Sequence, residues 1–146
     1  MLKIVYWVVA IGVVIQFIRP DFNNPKSDEK VALQTDAATM NVLKTSCYDC
    51  HSNETKYPWY HNISPVSWVM AENIEDGRKA LNFSTWANIA PDIKLKRLER
   101  AKQLIARGDM PKSEYCLIHK DAVLTSTQKA TLAQFFDAEM KKITPQ

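Results

Sequence analysis

The sequence predicts an all-α chain, and three observations predict it. Apolar residues recur at helical spacing through 40–47, 66–81, 98–105 and 132–143, helix-capping residues stand at the heads of these runs, and the 146 residues include only three glycines. No stretch makes a convincing strand. The net charge of +3 is mild, and basic residues interleave with acidic ones from Lys94 to Arg107 as on a solvated helix face, so nucleic acid is not an expected partner. With no internal repeat and no low-complexity tract, the chain suits one domain of ordinary size plus a tail.

Residues 2–18 are apolar apart from Lys3 and Gln16. As one helix they would extend about 26 Å, the lower edge of what spans a bilayer. The residues that follow contain no small-x-small cleavage site. Residues 1–18 are therefore expected to be an uncleaved N-terminal transmembrane helix. Residues 19–35 are polar, proline-punctuated and aperiodic, and read as a tether; the folded domain is expected over 36–146.

Asp36 is the expected N-cap of the domain's first helix, whose Met40, Leu43 and Cys47 share one face. Ser64 as N-cap with Pro65 at the first helical position opens a second, continued by Val66, Val69, Ile74, Gly77 and Leu81. Pro91 opens a third, with Leu98, Ala101, Leu104 and Ile105 inward and Gly108 as its stop. Thr125 and Gln128 form a capping box for the last, whose inner face is Leu132, Phe135, Phe136, Met140 and Ile143. Lys141 and Lys142 suit its C-terminal dipole.

The chemistry concentrates in Cys47-Tyr48-Asp49-Cys50-His51, a CxxCH run. It reads as the covalent attachment site of one c-type haem: two thiols bond the porphyrin vinyl groups and the adjacent imidazole reaches the iron. In a helical backbone Cys47, Cys50 and His51 are i, i+3 and i+4 neighbours on one face. Rival readings are a thioredoxin-like dithiol, which lacks the preceding strand, and a small strained disulfide. A third is a Cys3His zinc site of Cys47, Cys50, Cys116 and His119, which leaves His51 without a role. Cys116 is otherwise the odd thiol and reads as a small buried hydrophobe.

Met110, ahead of Pro111 in the loop between the third and last helices, is the expected sixth iron ligand, a soft thioether. His119 and His61 are the alternatives. A helix, then CxxCH, then helices, a Met-Pro loop and a final helix is the layout of small monohaem cytochromes c. A cytochrome c-like helical domain around one covalent haem is thus expected. In bacteria haem is attached to CxxCH outside the cytoplasm, which places the domain in the periplasm on an inner-membrane anchor.

The chain resembles the bacterial haem-binding domain family of small exported or membrane-anchored c-type proteins. The likeness runs from Ile15-Gln16-Phe17-Ile18-Arg19-Pro20 through the motif with Ser52-Asn53, Tyr57-Pro58-Trp59-Tyr60 and Pro65-Val66-Ser67-Trp68. It continues in Gly77-Arg78, Leu81-Asn82-Phe83-Ser84-Thr85-Trp86, and Met110-Pro111 with Tyr115 and His119. It implies haem binding outside the cytoplasm and implies no substrate. Because it includes both the Met-Pro pair and a histidine at position 119, it does not choose between those ligands.

Tyr57, Trp59, Tyr60, Trp68, Phe83 and Trp86 offer apolar walls for a haem, and Arg78 is either a propionate partner or an exposed helix charge. The function expected is that of a membrane-anchored periplasmic monohaem cytochrome, held by residues 2–18. It would pass electrons by outer-sphere transfer to periplasmic or membrane redox partners, with no catalytic residue. The alternative is a haem-based peroxidase or a gas or redox sensor with a displaceable sixth ligand.

Overall fold

The computed structural model describes residues 1–144, and among them the regular structure is helical throughout, with no strand. Seven α-helices follow one another: α1 (Leu2–Val14), α2 (Ala37–Ser46), α3 (Tyr48–His51), α4 (Val66–Ala80), α5 (Pro91–Arg107), α6 (Ser113–Ile118) and α7 (Ser126–Ile143). Short 3₁₀ turns lie at Ile15–Phe17, Trp59–Asn62, Phe83–Asn88 and Lys120–Ala122.

Local chemistry sets most of the helix ends. The Asp36 carboxylate accepts the Thr39 N–H at 2.9 Å and caps α2. Pro91 occupies the first turn of α5, and Gly108 at φ 81° ends it in the left-handed region. At α7 both arms of the capping box are made: Gln128 N–H to Thr125 Oγ1 at 3.2 Å, and Thr125 N–H to Gln128 Oε1 at 2.8 Å. The start of α4 differs from expectation. Pro65 itself takes the cap position and Ser64 makes no capping bond, because its hydroxyl and backbone are engaged by Ser67 and Gln16.

α5 and α7 pack side by side, α2 lies against α7, and α3 packs on α4. The core between them holds Leu33, Leu43, Phe83, Leu98, Leu132 and Phe136, each at most 2% exposed. Lys102 joins α5 to Asp137 of α7 through both carboxylate oxygens, at 2.6 and 2.7 Å.

The N-terminal helix is shorter than expected. α-Helical bonding stops at Val14, and after one 3₁₀ turn the chain is extended at Ile18. Its 13 residues extend about 20 Å, against a hydrocarbon core of about 30 Å. Among the described residues no helix is long and apolar enough to cross a membrane. The expected transmembrane anchor is therefore corrected, and with it the inner-membrane, periplasm-facing placement and the membrane partnership through residues 2–18.

The physical reason is tertiary. The Gln16 amide donates to the Gly12 and Ser64 carbonyls, each at 3.0 Å, and accepts the Ser64 N–H at 3.0 Å. The Ile18 carbonyl accepts the Trp68 indole N–H at 2.7 Å. The end of the apolar run is thus bound to the head of α4 rather than continuing as helix.

Residues 19–35, read as a tether, lie along the same domain. Leu33 is buried in the core and its N–H donates to the Phe83 carbonyl at 2.8 Å, while Ala87 N–H donates to the Val31 carbonyl at 2.9 Å.

Candidate functional site

Cys47 stands at the junction of α2 and α3, and its carbonyl accepts the N–H groups of Cys50 (3.2 Å) and His51 (2.9 Å). That single helical turn sets the two thiols and the imidazole at i, i+3 and i+4. Both thiols are free. Burial pushes Cys47 up to about 12, with a smaller contribution from the neighbouring Cys50. Burial, then the Asp49 carboxylate, raises Cys50 to about 11. The pair is therefore neutral thiol at physiological pH.

His51 is the residue held most specifically. Its Nδ1 lies 2.9 Å from the Leu81 carbonyl oxygen, which can only accept, so the proton sits on Nδ1 and the Nε2 lone pair is free. Burial lowers its pKa below the usual histidine value, which keeps the ring neutral. Phe83, 6.2 Å away by ring centroids and stacked on Tyr48 at 5.4 Å, supplies an apolar wall. The orienting carbonyl is positioned by the end of α4, where Leu81 is the C-cap.

α3 approaches α4 closely enough that Gly77 has no room for a side chain: a Cβ there would overlap the Cys50 carbonyl oxygen and lie 2.9 Å from its carbon. A glycine inside a helical run is a sequence signal for close backbone approach, and it could have marked Gly77. Ser46, on the buried face of α2 just before Cys47, carries the one buried side-chain polar atom without a hydrogen-bond partner among the described residues. A lone serine carries no sequence signal of that kind.

Met110 follows Gly108 in the loop between α5 and α6, half-buried against the same core that Cys47 touches. His119 lies elsewhere. Its Nε2 is 2.8 Å from the Tyr60 hydroxyl and its ring stacks on Tyr115 at 4.2 Å and 11°. The Tyr115 hydroxyl in turn donates to Asp49 Oδ2 at 2.7 Å. Asp49 lies between the two cysteines, so this polar chain reaches the motif beside Cys50.

His61 has both ring nitrogens engaged, by the Pro58 carbonyl at 2.6 Å and the Asn62 amide at 2.9 Å. Among the described residues no three His, Cys, Asp or Glu side chains converge to hold a metal ion. The Cys3His reading of Cys47, Cys50, Cys116 and His119 is corrected accordingly.

Arg78 is neither an exposed charge nor free for a propionate. Its guanidinium donates to the carbonyls of Ser52 (2.8 Å) and Asn23 (2.9 Å), and to the side chains of Asn24 (2.9 Å) and Thr55 (3.0 Å). It staples the N-terminal segment and the loop after the motif to α4. Of the expected aromatic walls, Phe83 and Trp86 are buried, whereas Trp59 is 82% exposed. A cavity of about 550 Å³ lies between Asp36, Thr39, Gln134 and Glu139, with no residue of the motif in its lining.

An all-α domain presenting two free thiols and an oriented neutral imidazole from one turn has the chemistry of a helical haem-binding protein. The chain belongs to the haem-binding domain family, whose sequence profile matches residues 10–138. No curated protein and no solved structure gives a significant match. The expected cytochrome c-like domain behind a transmembrane helix, and its membrane-anchored electron-transfer role, are corrected because the spanning helix that the topology needed is not formed; what the family match shows is haem binding.

Proposed function

We propose that this chain holds one haem at the CxxCH turn, with Cys47 and Cys50 as thioether attachments, His51 as the proximal iron ligand and Met110 as a displaceable sixth ligand. The domain then works as a haem-based peroxidase or as a sensor of a diatomic gas or redox state. The observation that carries this reading is the His51 Nδ1 to Leu81 carbonyl bond, which fixes the tautomer and leaves a neutral Nε2 able to take a ligand. The residues present fit the group: two neutral thiols on the imidazole's face, a Phe83 wall, and a buried, unpartnered hydroxyl on Ser46, the residue before the first cysteine. A bound haem supplies an iron that takes up small oxygen or gas ligands.

Displacement of Met110 is supported by its setting. It sits in a loop, packed only as an apolar contact on the core, and a thioether is a weak axial donor. The test takes the protein matured with haem in two portions: one is boiled in detergent to score covalently held haem, and the other is kept folded, reduced and exposed to carbon monoxide. The expected result is haem retained in the native chain, still held through the remaining thioether in Cys47→Ala or Cys50→Ala, and released from the variant lacking both cysteines, with carbon monoxide bound by the native chain and bound faster by Met110→Ala. A native reduced spectrum indifferent to carbon monoxide would sink the exchangeable sixth site, and binding by Met110→Ala alone would show Met110 to be a fixed ligand.

A further inference from the structure

A line of oxidisable side chains runs from the protein surface to the motif. Trp59, 82% exposed, meets Tyr60 edge to face at 5.7 Å between ring centroids. The Tyr60 hydroxyl is 2.8 Å from His119 Nε2, His119 stacks on Tyr115 at 4.2 Å, and the Tyr115 hydroxyl bonds Asp49 at 2.7 Å, between the two attachment cysteines. Every link is a hydrogen bond, a ring contact or a covalent neighbour. Each tyrosine also has an acceptor in place for its proton: Asp49 for Tyr115, and His119 Nε2 for Tyr60 when the imidazole proton is on Nδ1.

Core packing does not account for the arrangement. Trp59 buries little, Tyr60 and Tyr115 are only part-buried, and a sequence that merely filled space there would not need two phenols each paired with a base. We propose that Trp59, Tyr60, His119 and Tyr115 form a one-electron route between the haem site and the surface, and that Trp59 is where a bulky phenolic reductant, too large to enter the core, gives up its electron. The proposal rests on the exchangeable sixth site argued above, with hydrogen peroxide as the oxidant.

The chemistry balances. Peroxide takes up two electrons and two protons, its O–O bond breaks, and two waters leave. Two phenol molecules each lose one electron and one proton and depart as phenoxyl radicals. Within the route, a tyrosine passes its phenolic proton along its hydrogen bond as its electron leaves and recovers it when the next electron arrives from the Trp59 side. Trp59 is oxidised and re-reduced once per phenol.

The test uses the full chain with haem attached, mixed with one equivalent of peroxide. Haem absorbance is followed by stopped flow, radicals by freeze-quench paramagnetic resonance, and turnover with a small phenol and a bulky phenolic dye. Tryptophanyl and tyrosyl signals are expected in the native chain. Trp59→Phe, at an exposed position, should lose the tryptophanyl signal and about tenfold in dye oxidation, while its haem still reacts with peroxide at the native rate. Tyr115→Phe keeps the ring stack but should lose the tyrosyl signal. Haem that reacts with peroxide while no protein radical forms, or native dye oxidation by Trp59→Phe, overturns the route alone. Haem that does not react with peroxide overturns both the route and the peroxidase reading beneath it.

Discussion

Gly77 of α4 and Cys50 of α3 are in backbone contact: a Cβ at position 77 would fall 3.0 Å from the Cys50 Cβ and closer still to its carbonyl. The glycine therefore sets how near the motif turn sits to the helix whose end orients His51. Replacing a mid-helix glycine by alanine ordinarily gains about 0.5–1 kcal/mol. Here Gly77→Ala should instead cost about 1–3 kcal/mol through overpacking. Urea midpoints decide the sign, and a stabilised variant would mean that α3 yields freely.

Ser46 offers a test whose sign depends on the haem. Its hydroxyl is buried and unpartnered in the protein alone, so Ser46→Ala should leave the haem-free protein unchanged or stabilise it by about 1 kcal/mol. With haem attached the same substitution should become destabilising, the outcome expected where the occupied site gives this hydroxyl the partner it lacks. Paired denaturation of the two forms checks this; equal shifts in both would detach Ser46 from the site.

Arg78→Lys should be far from conservative. Four hydrogen bonds spread over Ser52, Asn23, Asn24 and Thr55 depend on the flat guanidinium fork. The expected loss is about 1–3 kcal/mol, accompanied by faster proteolytic cutting within residues 19–35. Unchanged cutting would show that the N-terminal segment is held by its other contacts.

Asp36 gives a pH dependence of definite sign. Its hydrogen bonds with Thr39 hold the carboxyl below its ordinary 3.8. Its contribution is therefore complete above pH 3.8 and is lost as pH falls through the lower folded value. Asp36→Asn keeps a capping side chain but should flatten this acid-side loss, measured as thermal midpoint against pH between neutral and strongly acidic solution.

Thr125→Ala removes one arm of the α7 capping box, and should cost about 1 kcal/mol. Thr125→Ser, which keeps the hydroxyl, should recover most of it, and a melting series on the three chains separates capping from packing.

What the sequence determined by itself was local. The all-helical class, the cap at Asp36, the stop at Gly108, the capping box at Thr125 and the common face of Cys47, Cys50 and His51 each depend on residues within one or two helical turns, and such spacing is visible along a line. Tertiary structure alone decided the rest, because the deciding partners are distant in the chain. Gln16 ends the apolar helix by bonding Ser64, Leu81 orients His51, Arg78 gathers Asn23 and Ser52, and Tyr115 links His119 to Asp49 of the motif. A run of apolar residues does not say where backbone 48 positions away will catch its end. For that reason the anchor was misread, whereas the motif turn, closed by its own carbonyl, was not.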